Sequence, residues 1–171
     1  MEGQIKRQEN IKSDITELLS QGQSVQFMPK GYSMYPFLNP DKQDQVIIQP
    51  LGERSIRHGD VVLYRRDGAC GETDEKGFAK GILVLHRIIR REGDGIYLVG
   101  DNQNQVEGPL RTGQVLGIMV ARVRKGKTMN VTFVPYKISA ALWMMVCPIR
   151  PKIMRMAEIL KNFIIGKKKK H

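Results

Sequence analysis

A strand of alternating side chains, followed by a glycine turn, is the feature that most constrains what this chain folds into. Along Ile82–Ile89, His86 shares one side with aliphatic residues and Arg87 shares the other, because successive side chains of a strand point to opposite faces. Gly93-Asp94-Gly95 predicts a hairpin turn, and Ile96–Val99 returns as the partner strand. The chain is therefore predicted to contain a β-hairpin with a histidine in its first strand.

Short strands separated by turns continue this pattern over residues 24–134. The predicted strands are Ser24–Met28, Val46–Gln49, Val61–Arg65, Ile82–Ile89, Ile96–Val99, Val115–Arg124 and Thr128–Val134. The polar segments Arg66–Gly81 and Gly100–Arg111 are predicted to be loops or hairpin tips. Many short strands with glycine turns are typical of a mainly β domain, and 171 residues suit one such domain.

Helices are predicted on both sides of the β domain. Residues 1–23 have apolar side chains at helical spacing, which predicts an N-terminal helix over Ile5–Gln21. Residues 135–171 are predicted to form a basic tail, with an apolar helix over Ile138–Val146 and a basic amphipathic helix over Lys152–Ile165. Since no apolar run is long enough to span a bilayer, and the N-terminus has no signal or anchor pattern, we expect a cytoplasmic protein.

The chain has a net charge of +11, and four lysines follow Gly166 near its end. Such a balance favours an anionic partner surface. Two interpretations of the basic helix stay open: its apolar face packs on the β domain, or it lies peripherally on an anionic membrane surface. We do not expect nucleic acid as the partner, because a basic surface is more often a solvated face than a specific site.

The cysteines and histidines do not predict a metal site. Cys70 and Cys147 show no ligand spacing and no reason to pair, which favours two free thiols in a reducing compartment. The two cysteines together with the three histidines (His58, His86 and His171) fit no zinc-ligand pattern. We therefore expect no metal and no cofactor.

Ser33 and His86 are candidates for nucleophile and general base. Ser33 stands in a short turn between apolar runs, and a serine hydroxyl is a poor nucleophile unless a base takes its proton. His86, held in a strand, suits that role, although a buried histidine without a catalytic role is the plainer interpretation. A third group must orient the imidazole. Asp101 and Glu107 both follow the partner strand, and both stay open as that group.

Five short motifs along the chain stand in a recognisable order. They are Gly31-Tyr32-Ser33-Met34-Tyr35-Pro36, Gly59-Asp60-Val61-Val62, Leu85-His86-Arg87-Ile88-Ile89, Gly100-Asp101-Asn102 and Val115-Leu116-Gly117. Each motif alone is a weak signal, but the ordered set resembles the S24/S26 serine peptidase superfamily. That superfamily contains signal peptidases and the self-cleaving repressors related to LexA.

The resemblance implies a LexA/signal-peptidase-like β domain and a serine endopeptidase that cuts an extended peptide or precursor protein at small residues. Ser33 then corresponds to the nucleophile and His86 to the base, as in the endoplasmic-reticulum type of signal peptidase. In that type an aspartate serves as the acid, and its position falls on Glu107 here, with Asp101 as the competing group. Gly31 implies an oxyanion hole made of backbone N–H groups, as in the LexA-like branch.

Two other functions stay open beside the peptidase. A peptide-binding module of the same fold would bind an extended peptide without cutting it, and the glutamate at position 107 and the lack of an expected anchor before Ser33 favour this alternative. A self-cleaving regulator would need a DNA-binding module, and the residues before Ser24 are too few for a helix-turn-helix domain.

Overall fold

The computed structural model describes residues 15–68, 71–75, 77, 80–146, 149, 152, 155 and 156. Most of the predicted helix over Ile5–Gln21 and of the basic helix over Lys152–Ile165 lies outside the described residues. The same holds for Cys70 and Cys147.

The fold is mainly β, as predicted, with helices near both ends. The strands are β1 (Val25–Phe27), β2 (Gln45–Pro50), β3 (Val61–Arg65), β4 (Leu83–Glu92), β5 (Gly95–Val99), β6 (Glu107–Leu110), β7 (Val115–Arg124) and β8 (Lys127–Asn130). Helix α1 covers residues 15–20, helix α2 covers Val134–Met145, and short 3₁₀ turns occupy Pro40–Lys42 and Thr112–Gln114.

All pairings in the sheet are antiparallel, and the strand order is β1-β2-β7-β3-β4-β5-β6, with β8 on β7. The central strand β3 lies between β7 and β4, where Val62 pairs with His86. This register puts the histidine strand next to the middle of the sheet. On its other side, β4 pairs with its hairpin partner β5, as the sequence predicts.

Both faces of the sheet bury apolar side chains. In β3, Val61 and Leu63 belong to one cluster, and Val62 and Tyr64 belong to the other. Alternation along a strand explains this division, because neighbouring residues point to opposite faces. Leu19 of α1 packs into the first cluster, so the N-terminal helix covers one face of the sheet.

One predicted loop contains a strand. The prediction of loop over Gly100–Arg111 was wrong for β6, which pairs with β5 at the edge of the sheet. Pro109 and Gly108 within this strand account for the error, because both residues are rare in strands. An edge strand tolerates a proline, since the missing N–H falls on the side without a partner.

Helix α2 begins earlier than the sequence predicts. Strand β8 ends at Asn130, so the predicted strand over Thr128–Val134 was too long, and α2 starts at Val134 rather than Ile138. Pro135 stands in the first turn of α2, where its missing N–H has no helical partner to lose. In the described part of the chain, no helix is long and apolar enough to cross a membrane.

Gly117 in β7 offers a test of the close packing between β7 and its paired strand β2. A Cβ atom at this position would lie 2.5 Å from the carbonyl oxygen of Gln49 and 2.7 Å from a methyl carbon of Ile48. Since backbone cannot yield easily, we expect Gly117→Ala to lower the free energy of unfolding by about 1–3 kcal/mol in urea titrations. Gly113→Ala is the matched control, because it has open space, and we expect a change within about 0.5 kcal/mol. Equal effects of the two substitutions would contradict this register.

Candidate active site

Ser33 lies in a compact turn that its apolar neighbours anchor. Met34 and Leu38 are buried in the cluster that also contains Leu19, while Ser33 is half-buried. The N–H of Leu38 donates to the carbonyl of Met34 at 2.9 Å and closes the turn. Gly31 enters the turn with a φ of 82°, which glycine adopts without strain. The serine is therefore held on a fixed frame beside the core.

The loop after β5 also fixes the serine backbone. The N–H of Asn102 donates to the Ser33 carbonyl at 2.7 Å. Gly100 permits this approach, because a Cβ atom there would lie only 2.7 Å from the same carbonyl oxygen. The Gly100-Asp101-Asn102 motif thus contacts the serine turn through main-chain atoms.

His86 lies in β4 and directs one ring nitrogen at a carboxylate. Only 2% of the residue is exposed. Its Nδ1 lies 3.1 Å from Oε1 of Glu107 and 3.2 Å from the hydroxyl oxygen of Tyr64. A neutral imidazole with its proton on Nδ1 suits the carboxylate, and it leaves Nε2 unprotonated and able to accept a proton.

Glu107 is the centre of a buried network of donors. Its Oε2 accepts a hydrogen bond from Tyr64 at 2.8 Å and from Nε of Arg66 at 2.6 Å, and Nη2 of Arg66 donates to Oε1. Burial alone would raise the pKa of Glu107, but the hydrogen bonds from His86 and Arg66 outweigh it and lower the pKa to about 2. Burial and the charge of Glu107 raise the pKa of Tyr64 above its ordinary range, so its hydroxyl stays a donor.

Asp101, the other candidate acid, contacts Arg87 rather than His86. Both carboxylate oxygens accept from Arg87, at 2.8 and 2.7 Å, and both residues are almost fully buried. Arg87 follows His86 in β4, so it points to the opposite face of the strand. Arg87 also donates to the carbonyl of Gly59 at 2.9 Å, and the Asp101 carbonyl accepts from Trp143 at 2.7 Å. The sequence left Asp101 and Glu107 both open as the orienting group, and of these two carboxylates the structure brings only Glu107 to the imidazole.

Ser33 and His86 line one cleft of about 980 Å³. The cleft is also lined by residues 26–31, which lead from β1 to the serine, and by residues 82–86 around the start of β4. Arg66 reaches the same cleft. Hence the structure brings together three of the four predicted site residues, with Ser33 and His86 on a common cleft and Glu107 behind the histidine.

The beginning of β4 has an open edge along this cleft. Ile82 and Ile88 form backbone hydrogen bonds with the β3 side of the sheet. Backbone groups alternate in direction along an antiparallel strand, so those of Leu83 and Leu85 point away from β3. Strand β5 covers that side of β4 only from Arg87 onward, and no other described strand pairs there. The free N–H and C=O groups make this edge a template for an extended segment.

Tyr64 and Arg66 are site residues that the sequence reasoning missed. Tyr64 ends the buried part of β3 and stands two positions after Val62, the partner of His86. Alternation puts Tyr64 on the face of His86 once the β3–β4 register is known. The sequence contains no signal for that register, so neither residue could be assigned to the site from its spacing.

Comparisons with protein-family models, with curated proteins and with solved structures found no match.

The low pKa of Glu107 gives a pH test of the network. Because the pKa falls from 4.5 to about 2 on folding, ionised Glu107 stabilises the fold above pH 4.5, and this contribution is lost as the pH falls toward 2. At neutral pH we expect Glu107→Gln to lower the free energy of unfolding by about 2–3 kcal/mol. The difference between wild type and variant should shrink on acidification, as measured by urea unfolding at several pH values.

Glu92→Gln is the control for this test. Glu92 lies in an exposed pair with Arg90 at 2.8 Å, and its replacement should change stability by less than about 0.5 kcal/mol. A Glu107→Gln difference that stays constant from neutral to acid pH would contradict the buried, ionised carboxylate.

Proposed function

We propose that the chain is a serine endopeptidase with Ser33 as nucleophile, His86 as general base and Glu107 as the group that orients the base. The observation that carries the proposal is the contact of 3.1 Å between His86 Nδ1 and Glu107. It supplies the acid–base half of a triad, and Ser33 shares a cleft with the same histidine. The ordered motifs that resemble the S24/S26 peptidases support the same function.

In the proposed reaction, His86 Nε2 takes the hydroxyl proton as Ser33 Oγ attacks the carbonyl carbon of the substrate peptide bond. Glu107 stabilises the imidazolium that forms and keeps the ring in one orientation. The imidazolium then protonates the leaving amine, and the peptide C–N bond breaks to give an acyl-enzyme on Ser33. A water molecule, deprotonated by His86, hydrolyses the ester and restores the serine.

Tyr64 and Arg66 act as positioning residues in this scheme. Together they hold both oxygens of Glu107, so the carboxylate cannot rotate away from the imidazole. Its pKa of about 2 keeps it ionised throughout the neutral range. The histidine therefore faces a fixed negative charge during each proton transfer.

The substrate would be an extended peptide or precursor segment paired with the open edge of β4. Main-chain hydrogen bonds to Leu83 and Leu85 would give affinity, and the cleft would receive alternate side chains. Pairing at these residues runs the substrate backbone past His86, which follows Leu85 in β4. The edge and the dyad together favour cleavage in the middle of a chain over removal of a terminal residue.

A peptide-binding module without cleavage is the second candidate. The observation that favours it is that Arg66 donates to both carboxylate oxygens of Glu107. The positive charge of Arg66 therefore weakens the electrostatic stabilisation that Glu107 gives to a protonated His86. On this alternative the histidine network only stabilises the fold. Peptides would then bind to the β4 edge and remain intact.

Cleavage of a proteome-derived peptide library, followed by mass spectrometry, tests the proposal. We expect new peptide termini with the wild type, and a loss of at least about a thousandfold in rate for Ser33→Ala and for His86→Ala, because each removes a member of a unit that acts together. Glu107→Gln should lower the rate by about a hundredfold or more, since it removes the charge that supports the imidazolium.

Ser55→Ala and His58→Ala are matched controls, because both positions are exposed and lie outside the cleft. They should cleave as the wild type does. Full activity of His86→Ala would refute the mechanism, and peptides that bind but stay intact with the wild type would support the binding module.

A further inference from the structure

Helix α2 exposes a stripe of apolar side chains to solvent. Val134, Ile138, Leu142 and Met145 each leave more than half of their surface uncovered. Their spacing of four, four and three residues puts them on one side of a helix. We call these four residues the α2 stripe. Large apolar side chains that are grouped in this way on a surface mark a contact with another apolar phase.

The opposite side of α2 is firmly packed on the domain. Tyr136 and Ala140 are buried. The ring of Tyr136 contacts that of Phe37 edge-on at 5.5 Å, and Trp143 donates to the carbonyl of Asp101. The α2 stripe is therefore an outer surface of a docked helix, directed away from the sheet.

A cationic cleft of about 600 Å³ runs beside α2. Arg54, Arg57 and Lys137 line it, and Met145 belongs both to its wall and to the α2 stripe. Asp60 is the carboxylate in this wall, and it already accepts from Arg54 and from the N–H of Arg57. The apolar stripe is thus bordered by a cleft with an excess of positive charge.

The chain around α2 has the same sign of charge. Residues 134–171 contain nine lysines and arginines and a single acidic residue, Glu158. An apolar stripe bordered by cations complements the surface of an anionic bilayer, where acyl chains lie beneath phosphate groups. Nucleic acid would use the cations but leave the stripe in water. A symmetric pair of chains would bring the same cations against each other.

We propose that α2 docks this protein on an anionic phospholipid bilayer. The α2 stripe enters the boundary between headgroups and acyl chains, and the cleft of Arg54, Arg57 and Lys137 receives lipid phosphates. This docking does not depend on the peptidase activity, since it uses none of the residues assigned to catalysis. It leaves the opposite face of α2 in contact with the loop that holds Ser33.

Vesicle flotation of the full chain tests the proposal. The probes are phosphatidylcholine vesicles with and without about one third phosphatidylglycerol. We expect the wild type to float with the anionic vesicles only, and less so at high salt, because screening weakens the attraction. Ile138→Ser/Leu142→Ser should lower the partition coefficient by about tenfold or more, since it removes two large apolar side chains from the contact.

Lys125→Gln/Lys127→Gln is the matched control, because it removes two exposed cations from the turn between β7 and β8, at the opposite end of β8 from α2. It should retain most of the binding. Both positions of the serine variant are exposed, and an unchanged unfolding midpoint verifies its fold. Absence of flotation at low salt would overturn the proposal, as would equal loss in the two double variants. Self-association in sedimentation that Ile138→Ser/Leu142→Ser abolishes, without vesicle binding, would assign the stripe to a second copy instead.

Discussion

The structure depends on one alternation in β4, which sends His86 to one face of the sheet and Arg87 to the other. Each side chain meets a buried carboxylate from the chain after β5: His86 meets Glu107, and Arg87 meets Asp101. A buried charge without a partner costs free energy, so the loss of either member of a pair would destabilise the fold. Two adjacent residues of one strand thereby hold two buried carboxylates on opposite faces of the sheet.

The Arg87–Asp101 pair is the structural half of this arrangement. It holds the loop whose main chain binds the Ser33 carbonyl, and Trp143 of α2 binds the same loop. Burial alone would lower the pKa of Arg87, but the hydrogen bonds that Arg87 donates to Asp101 outweigh it and raise the pKa above its ordinary range, so the pair stays charged. The Glu107 network is the chemical half. It keeps a carboxylate ionised behind the histidine, as the proposed peptidase mechanism requires of the group that orients its base.

The sequence predicted the mainly β fold and the strands whose side chains alternate clearly, such as Val61–Arg65 and Val115–Arg124. It did not predict β6, because a strand with glycine and proline forms only through its pairing at the sheet edge. The choice between Asp101 and Glu107 also needed the structure. Both follow β5 closely in sequence, and only the register of β6 on β5 shows which one reaches the face of His86.

Side-chain NMR of isotope-labelled histidine can detect the contact between His86 and Glu107, on which the proposed site depends. We expect that His86 carries its proton on Nδ1, that this proton resonates far downfield because it is hydrogen-bonded to a carboxylate, and that the signal disappears in Glu107→Gln. A proton on Nε2, or a downfield signal that survives Glu107→Gln, would contradict it.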